Sequence, residues 1–336
     1  MDKISICIVG LGRAGRFHLD SILKLNQFEL LYIVDPVNKR KDINNDLPEN
    51  VVFTASLDEA ISNPNLDAVI VSSPTQSHYD YIIQALENGK HVFTEKPLGK
   101  SSEDIIKCFD LASDKNLALY VGFQRRYDVN FNELKAQINQ FGAPRMIKIS
   151  SRDNPKPSIE YLKNSGNIFH DMLIHDFDML IYLLGERIPE SVYVLSHAYD
   201  PEIAAIPDFD TVVVSIKYAD GLMCTIDTSR TSPYGYDQRI EIFAEEGMVI
   251  AENQRNNTVE IHTETGKQQA PANYSFPTRY ADCYLKEIIH FGEGIYHGEN
   301  FNITKRECIL AHQIAESCHE SAQKNTAINF KFWYDH

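Results

Sequence analysis

A glycine-rich loop close to the N-terminus constrains the fold more than any other feature of the chain. The apolar run at 4–9 predicts a buried strand, and Gly10-Leu11-Gly12-Arg13-Ala14-Gly15 follows it directly. A Gly-x-Gly-x-x-Gly loop between a strand and a helix can turn tightly and bring its backbone and the helix N-terminus against a pyrophosphate. The spacing alone is a weak signal. Its position after a strand and before a helical stretch predicts a dinucleotide-binding loop made by these six residues.

Short apolar runs alternate with helix-like stretches over residues 1–122. Most of these runs are continuously apolar, which is typical of parallel strands covered on both faces. Ser101 with Asp104 indicates a capped helix start, and Gly89 indicates a helix end. The alternation predicts an α/β Rossmann domain with a doubly wound parallel sheet over residues 1–122. We expect strands at 4–9, 28–34, 51–53, 68–72, 91–94 and 117–122, and helices at 77–88 and 101–115.

The pattern changes in residues 123–336, where strand-like runs crowd together. Ala219-Asp220-Gly221 and Glu245-Glu246-Gly247 resemble hairpin turns. We predict an α+β domain over 123–336, built on a large, mostly antiparallel open sheet. Its expected strands are at 145–151, 191–196, 211–218, 222–228, 239–244, 248–251 and 258–262, and its expected helices at 130–139, 168–184, 279–291 and 304–321.

Charge and cysteine usage exclude several classes of protein. The formal net charge is −15, which disfavours binding to nucleic acid or to an anionic membrane surface. No apolar run approaches the length of about 20 residues that a membrane helix needs. The six cysteines are scattered and include no Cys-x-x-Cys pair, so we expect buried thiols in a reducing compartment. These features predict a cytoplasmic protein without nucleic-acid or membrane partners.

Polar residues at the ends of two predicted strands extend the dinucleotide site. Asp35 ends the second strand, where a carboxylate can accept hydrogen bonds from ribose hydroxyls and repel a 2′-phosphate, which favours NAD over NADP. Lys39 and Arg40 follow closely and can weaken that preference. Ser72-Ser73-Pro74-Thr75 and His78 follow the fourth strand at the ligand-binding edge of the sheet. The alternatives are a turn residue at Asp35 and a plain helix cap in the Ser-Pro segment.

Three residues carry the candidate chemistry. Lys96, within Glu95-Lys96-Pro97 after the fifth strand, can hydrogen-bond a reacting hydroxyl near the nicotinamide, although a lone lysine is usually a solvated charge. Asp171 and His175 are four residues apart on a predicted helix and share one face. A histidine can accept the proton of an alcohol during its oxidation, and a carboxylate can orient it. The alternative is an ordinary polar helix face. No metal is predicted, because Asp171, His175 and Asp178 lack a matching Cys or His partner.

Together these motifs resemble the glucose-fructose oxidoreductase/inositol dehydrogenase (Gfo/Idh/MocA) family over nearly the whole chain. The glycine loop, Glu95-Lys96-Pro97 and residues 165–179 resemble its dinucleotide loop, lysine motif and catalytic helix. Segments 122–128, 151–153, 210–211 and 234–241 resemble the inositol 2-dehydrogenase branch of the family.

The resemblance implies a role for individual residues. His175 is then the general acid/base, Lys96 contacts substrate and cofactor, and Asp171 helps to hold the hydroxyl being oxidised. The implied cofactor contacts also include Glu95, and the implied polyol contacts are Arg126, Asp153, Tyr234 and Tyr236. Because family members are usually homotetramers joined through the open sheet, we expect a homo-oligomer, a tetramer or a dimer.

The reaction implied by the resemblance is NAD-dependent oxidation of a ring hydroxyl of a cyclic polyol, with myo-inositol oxidised to 2-keto-myo-inositol (scyllo-inosose). The alternatives are a dehydrogenase for scyllo-inositol, an aldose such as glucose, or a dihydrodiol, and a non-catalytic dinucleotide-sensing regulator on the same fold. Two residues depart from the family pattern. Asn167 stands where a second glycine is common, and His170 stands beside Asp171 where another residue type is usual. Neither departure removes a residue assigned to the chemistry, so they bear on the identity of the substrate more than on the activity.

Overall fold

The computed structural model describes residues 2–37, 43, 47–298 and 301–334, so Lys39 and Arg40 lie outside the described residues. Contacts divide the chain into two compact units. They are Met1–Tyr127 with Asp282–Ile309, and Asp128–Ala281 with Leu310–His336.

The first unit is discontinuous in sequence, whereas the sequence predicts one boundary after residue 122. Ile288 and Phe291, from a helix near the C-terminus, are fully buried in the same apolar cluster as Ile6 of the first strand. Burial of two such side chains stabilises the unit by roughly 1.5–3 kcal/mol each. A return of the chain over this distance leaves no mark in local periodicity, so the sequence pattern does not reveal it.

A six-stranded parallel sheet forms the centre of the first unit. Its strands are β1 (Ile4–Val9), β2 (Phe28–Val34), β3 (Val52–Thr54), β4 (Ala68–Val71), β5 (His91–Glu95) and β6 (Leu119–Gly122). They lie in the order β3-β2-β1-β4-β5-β6, and every neighbouring pair is parallel. The predicted doubly wound Rossmann sheet is therefore confirmed. The strand order reverses between β1 and β4, which is where such sheets bind ligands.

Helices connect these strands, and their ends follow the sequence signals. They are α1 (Arg13–Lys24), α2 (Leu57–Ile61), α3 (His78–Glu87) and α4 (Ser102–Asp114). The hydroxyl of Ser101 accepts a hydrogen bond from the amide of Asp104 at 3.1 Å, so the predicted cap of α4 is confirmed. Gly89 adopts a φ of +73° just beyond α3, a conformation that glycine permits at a helix end.

The second unit contains a seven-stranded sheet. The remaining strands of the chain are β7 (Pro144–Arg152), β8 (Pro189–His197), β9 (Thr211–Tyr218), β10 (Met223–Ser229), β11 (Asp237–Ala244), β12 (Met248–Ala251), β13 (Glu260–Thr263), β14 (Gly266–Gln269) and β15 (Ile328–Asn329). The sheet order is β12-β11-β7-β10-β9-β8-β15, and only the β7–β10 pair is parallel. The mostly antiparallel sheet is confirmed, and one parallel pair makes it mixed. The expected strand at 258–262 instead pairs with β14 in a separate hairpin.

The remaining helices are α5 (Val129–Gln137), α6 (Ile159–Leu162), α7 (Ile174–Leu184), α8 (Pro201–Ala204), α9 (Phe276–Arg279), α10 (Ala281–His297) and α11 (Lys305–Lys324). Within the described ranges, no helix is long and apolar enough to span a bilayer.

The helix predicted at 168–184 begins differently from the prediction. Phe169–Leu173 forms a π-helical turn, and the regular helix α7 starts only at Ile174. Two polar side chains accept the first amides of this segment. Asn167 Oδ1 accepts from Phe169 N at 3.0 Å, and Asp208 Oδ1 accepts from Ile168 N at 2.8 Å. The prediction of one regular α-helix is wrong for this turn, which carries Asp171, and single π turns often occur at functional sites.

Candidate active site

The glycine loop between β1 and α1 is built for close backbone approach. Gly10 has a φ of +90°, and a Cβ at this position would lie 2.7 Å from the Cα of Ser73. A Cβ at Gly15 would lie 2.0 Å from the carbonyl oxygen of Gly10. At Gly12, by contrast, a Cβ would meet nothing within 4 Å, and no side chain caps α1. The loop packs tightly against its own unit and leaves the helix N-terminus open, as a pyrophosphate site requires.

Asp35 stands at the end of β2, beside the glycine loop. Its Oδ2 accepts a hydrogen bond from the amide of Leu11 at 2.8 Å, and its Oδ1 accepts one from the amide of Val37 at 2.9 Å. A carboxylate oxygen can accept a second hydrogen bond, so this orientation leaves capacity for ribose hydroxyls. Together with the open helix end, this geometry fits an adenine dinucleotide.

The segment after β4 holds the glycine loop and a neighbouring loop in place. The Ser72 hydroxyl is buried and donates to the carbonyl of Gly10 at 2.9 Å. His78 is buried too, and its two ring nitrogens lie 2.8 Å from the carbonyl oxygens of Ser73 and Pro97. Burial lowers the pKa of His78, and the two carbonyl contacts oppose that shift. His78 therefore links the loop after β4 to the loop that carries Lys96. Contact with the dinucleotide stays a prediction for the five residues named in this segment, which are Ser72, Ser73, Pro74, Thr75 and His78.

Lys96 directly follows β5 and is half-buried. The neighbouring residue Glu95 bonds within the unit, where its Oε1 lies 2.7 Å from Nε2 of His18. His18 is fully buried, and so is Glu287, which has a carboxylate oxygen within 4.8 Å of the ligand atoms of His18 and Glu95. Burial raises the pKa of Glu287 well above its ordinary range, and the Glu95 carboxylate raises it further. Glu95 is thus bonded inside its own unit, and its predicted contact with the cofactor is not tested by this geometry.

Asp171 lies in the π turn and is held by two donors. The Tyr161 hydroxyl donates to Oδ1 at 2.8 Å, and the guanidinium of Arg230 donates to Oδ2 at 2.9 Å. Arg230 is fully buried and also bonds Asp208 at 2.7 Å. Burial opposes the charge of Arg230, but the facing carboxylates of Asp171 and Asp208 raise its pKa. The result is a fixed anion at Asp171.

Sequence reasoning missed Tyr161, Asp208 and Arg230. Arg230 lies 59 residues from Asp171 and Asp208 lies 22 residues from Arg230, so no local spacing connects them. The available signal is positional, since Arg230 directly follows β10 and Asp208 lies shortly before β9. That signal does not distinguish a buried pair from surface charges.

His175 is the second residue of α7 and is half-buried between the buried Ile174 and Asp176. The π turn that holds Asp171 ends two residues earlier, at Leu173. The structure therefore places the predicted base and the predicted carboxylate on consecutive turns of one helical segment. This arrangement can supply a proton acceptor and a fixed anion to a hydroxyl.

The four predicted polyol contacts lie in different surroundings. Arg126 is buried, with its Nη1 3.3 Å from the Glu307 carboxylate. Tyr234 is exposed, and its hydroxyl donates to Asp237 at 2.5 Å. Tyr236 is buried and packs edge-on against Tyr280, with the two ring centroids 5.9 Å apart. Asp153 is half-buried just beyond β7, and its amide donates to the carbonyl of Ser229 at 2.9 Å. Their contacts with substrate stay predictions.

Comparison with known proteins matches both parts of the chain. Residues 4–123 match the model of the oxidoreductase family with an NAD-binding Rossmann fold, and residues 131–250 match the GFO/IDH/MocA C-terminal domain. The chain is 35% identical over 331 residues to the myo-inositol 2-dehydrogenase of Thermotoga maritima, which covers 97% of this chain and 98% of that protein. It is 32% identical over 315 residues to the scyllo-inositol 2-dehydrogenase (NAD(+)) of Bacillus subtilis, covering 90% and 89% of the two proteins.

A solved structure is similar over the same extent. The scyllo-inositol dehydrogenase of Lactobacillus casei, with bound cofactor NAD(H) and scyllo-inositol, superposes with a TM-score of 0.89 at 28% identity and covers 98% of this chain and 99% of that one. The predicted family, the NAD cofactor and the oxidoreductase class are confirmed. The chain belongs to the Gfo/Idh/MocA family of NAD-dependent oxidoreductases.

Proposed function

We propose that this protein oxidises one ring hydroxyl of a cyclic polyol, and that its substrate is myo-inositol, which becomes 2-keto-myo-inositol. The observation that carries the proposal is the fixed anion at Asp171, held by Tyr161 and the buried Arg230 next to the helix that carries His175. The similarity of this chain, over nearly its full length, to the myo-inositol 2-dehydrogenase of Thermotoga maritima supports the choice of substrate.

Each residue has one task in the proposed reaction. His175 accepts the proton of the hydroxyl being oxidised, and Asp171 accepts a hydrogen bond that orients that hydroxyl or the imidazole. Lys96 donates a hydrogen bond to the oxygen as it becomes a carbonyl. When bound, NAD+ is the oxidant that takes the carbinol hydrogen with its electron pair. The alcohol thus loses one proton and one hydride and becomes a ketone.

A neutral polyol suits the charged residues that we assign to its binding, because each is paired within its own unit. Asp171 is paired with Arg230 in the second unit, and Arg126 lies against Glu307 in the first, so neither offers a lone charge. Such groups recognise hydroxyls by hydrogen bonding, and a site of this kind rejects an analogue that lacks one hydroxyl, because a buried partner is then left unsatisfied. We propose Arg126, Asp153, Tyr234 and Tyr236 as polyol contacts, because the family resemblance implies them.

A substrate panel tests the assignment. We expect NADH formation with NAD+ and myo-inositol, and much slower turnover with NADP+. Turnover of glucose with none of myo-inositol or scyllo-inositol would end the inositol assignment. The scyllo-inositol dehydrogenases of Bacillus subtilis and Lactobacillus casei favour scyllo-inositol as the second candidate. Comparison of kcat/KM for the two stereoisomers separates the candidates.

Replacement of His175 tests the chemistry itself. We expect His175→Ala to lower kcat by at least about 100-fold, the usual scale for loss of a general base. His262→Ala is the matched control, since His262 is an exposed histidine of the same unit. Equal rates in wild type and His175→Ala would refute the role assigned to His175. A wild type that forms no NADH with any polyol of the panel would favour a dinucleotide-sensing regulator instead.

We further propose a homo-oligomer that buries one face of the seven-stranded sheet, as a dimer or tetramer. Met223, Phe243, Met248 and Ile250 are each more than 40% exposed on three of its strands. Phe243 pairs with Met248 on one side and with Met146 on the other, and Met146 also pairs with Met223. Such a contiguous apolar row on a soluble chain is typical of an interface.

We place the protein in the cytoplasm. All six cysteine side chains are buried, and burial raises the pKa of Cys108 to about 12. A protonated, inaccessible thiol is inert, as expected for a chain that keeps its cysteines reduced.

A further inference from the structure

A cluster of two histidines and a glutamate lies beside the catalytic segment, and the proposed reaction does not use it. His170 precedes Asp171 in the π turn, and His312 and Glu316 lie one turn apart on α11. The three offer ligand atoms that all lie within 4.8 Å of one another.

The hydrogen bonds of Asn167 fix the tautomer of His170. Asn167 Oδ1 accepts from the backbone amides of Phe169 and His170, at 3.0 and 3.2 Å, so this atom is the oxygen of the amide. The same oxygen lies 2.9 Å from Nδ1 of His170, which must therefore carry the hydrogen. A second group that holds one ring nitrogen in this way is the usual support for a histidine that binds a metal through the other.

The other nitrogen of His170 then faces a carboxylate. Its Nε2 lies 2.7 Å from Oε1 of Glu316. With Nδ1 protonated, Nε2 presents a lone pair, and a lone pair facing a carboxylate oxygen at this distance is repulsive unless a cation lies between them. A proton can bridge two groups. Nε2 of His312 adds a third, 4.0 Å from the same oxygen, which favours a metal ion.

The spacing of the three groups suits zinc. Bonds of about 2.0–2.1 Å around a tetrahedral Zn²⁺ place its ligands roughly 3.3 Å apart. The separations from Glu316 Oε1 to Nε2 of His170 and of His312, 2.7 and 4.0 Å, lie on either side of that value, and all three ligand atoms lie within 4.8 Å of one another. His312 is buried while Glu316 is 56% exposed, so the site is anchored at one end and reached by water at the other.

We propose that His170, His312 and Glu316 bind one Zn²⁺ ion, with water as the fourth ligand. Two imidazoles, one carboxylate and one water form a familiar zinc ligand set. A bound ion would tie α11 to the turn that holds Asp171. The site lies wholly within the second unit and includes none of the residues assigned to the reaction.

Cobalt provides a spectroscopic test on the full-length protein without an affinity tag. After removal of metals with a chelator, we expect Co²⁺ to bind with one ion per chain and to give the visible absorption of a four-coordinate site, which Zn²⁺ then abolishes. Glu316→Gln should weaken binding at least about 100-fold, more than the roughly 10–100-fold expected when Asn167→Ala removes only the orienting group. Glu316 is largely exposed, so its replacement leaves the core intact.

His262→Gln is the matched control, because His262 lies 3.2 Å from Glu260 on the surface of the same unit and no third ligand among the described residues joins them. Its binding of Co²⁺ should equal that of the wild type. A wild type that binds no more Co²⁺ than Glu316→Gln would overturn the proposal and leave a proton as the bridging cation. The measurement needs no substrate, so its outcome is independent of the proposed dehydrogenase activity.

Discussion

Replacing Arg230 removes a fully buried cation that two carboxylates face. In Arg230→Met a side chain of similar length fills the space, but Asp171 and Asp208 lose their partners at 2.9 and 2.7 Å. Their side chains are only 10% and 4% exposed, so water cannot replace the guanidinium. Breaking a buried pair by removing one partner costs about 3–5 kcal/mol. We expect a loss of that size in the free energy of unfolding of the second unit.

The control for this prediction is an exposed ion pair with a similar distance between nitrogen and oxygen, so that the two pairs differ mainly in burial. Arg187 and Asp220 form a pair at 2.7 Å, yet their side chains are 43% and 54% exposed. Arg187→Met should therefore cost no more than about 1 kcal/mol. Urea unfolding of the two variants, followed by circular dichroism, measures the difference. If Arg230→Met proves no more destabilising than Arg187→Met, the buried ion triad does not stabilise the fold and the reasoning fails.

A double-mutant cycle shows whether the two carboxylates share the cation. Asp208→Asn removes one charge while it keeps an oxygen for the amide of Ile168, which now bonds Asp208 at 2.8 Å. The double variant Arg230→Met with Asp208→Asn should be less destabilised than the sum of the single variants, because one stranded carboxylate disappears. Arg230→Lys, which keeps the charge and loses the planar fork, should lie between wild type and Arg230→Met in both stability and kcat.

Three further predictions concern other parts of the chain. Glu287→Gln should become more stable relative to wild type as pH rises above about 4.5, by at most about 1.4 kcal/mol per pH unit, because the raised pKa of buried Glu287 makes the folded state keep a proton that the unfolded state releases. Parallel unfolding midpoints across that range would contradict this. Asp35→Ser should lower kcat/KM for NAD+ by roughly 10–100-fold and raise it for NADP+, since charge-assisted hydrogen bonds to the ribose are lost. Unchanged cofactor preference in steady-state kinetics would remove Asp35 from the site. Phe243→Glu should yield a smaller species by light scattering, and an unchanged mass would exclude that sheet face as the interface.

Local patterns predicted the elements of this fold well. The continuously apolar runs from Ile4 and Ala68 are parallel strands, and the Gly-x-Gly-x-x-Gly spacing is a strand–turn–helix loop with Gly10 at a φ of +90°. These features succeed because strand burial, turn geometry and helix caps depend on residues close together in sequence. The caps at Ser101 and Gly89 follow the same rule.

Features set by distant residues could not be predicted in this way. The π turn at Phe169–Leu173 depends on the reach of Asp208, 40 residues away, to the amide of Ile168. Arg230, just beyond β10, joins Asp171 of the π turn to Asp208 of the loop before β9. The helix that carries Ile288 packs in the core of the first unit, although residues Asp128–Ala281 of the second unit separate it in sequence from the first sheet. Each of these three features depends on which polar or apolar surfaces pack together in the folded chain. Sequence periodicity carries no information on which surfaces meet.

The shared cation also bears on how the proposed chemistry divides between Asp171 and His175. A carboxylate that already accepts hydrogen bonds from Tyr161 and Arg230 is stabilised as an anion, so it is suited to accept a further hydrogen bond and poorly suited to remove a proton. Histidine is the side chain best suited to accept a proton near neutral pH. We therefore expect the proton of the substrate hydroxyl to pass to His175, while Asp171 orients the hydroxyl or the imidazole. Pairing with the buried Arg230 thus makes Asp171 an orienting group and leaves proton acceptance to His175. The contacts that stabilise the second unit therefore also assign different roles to the two residues.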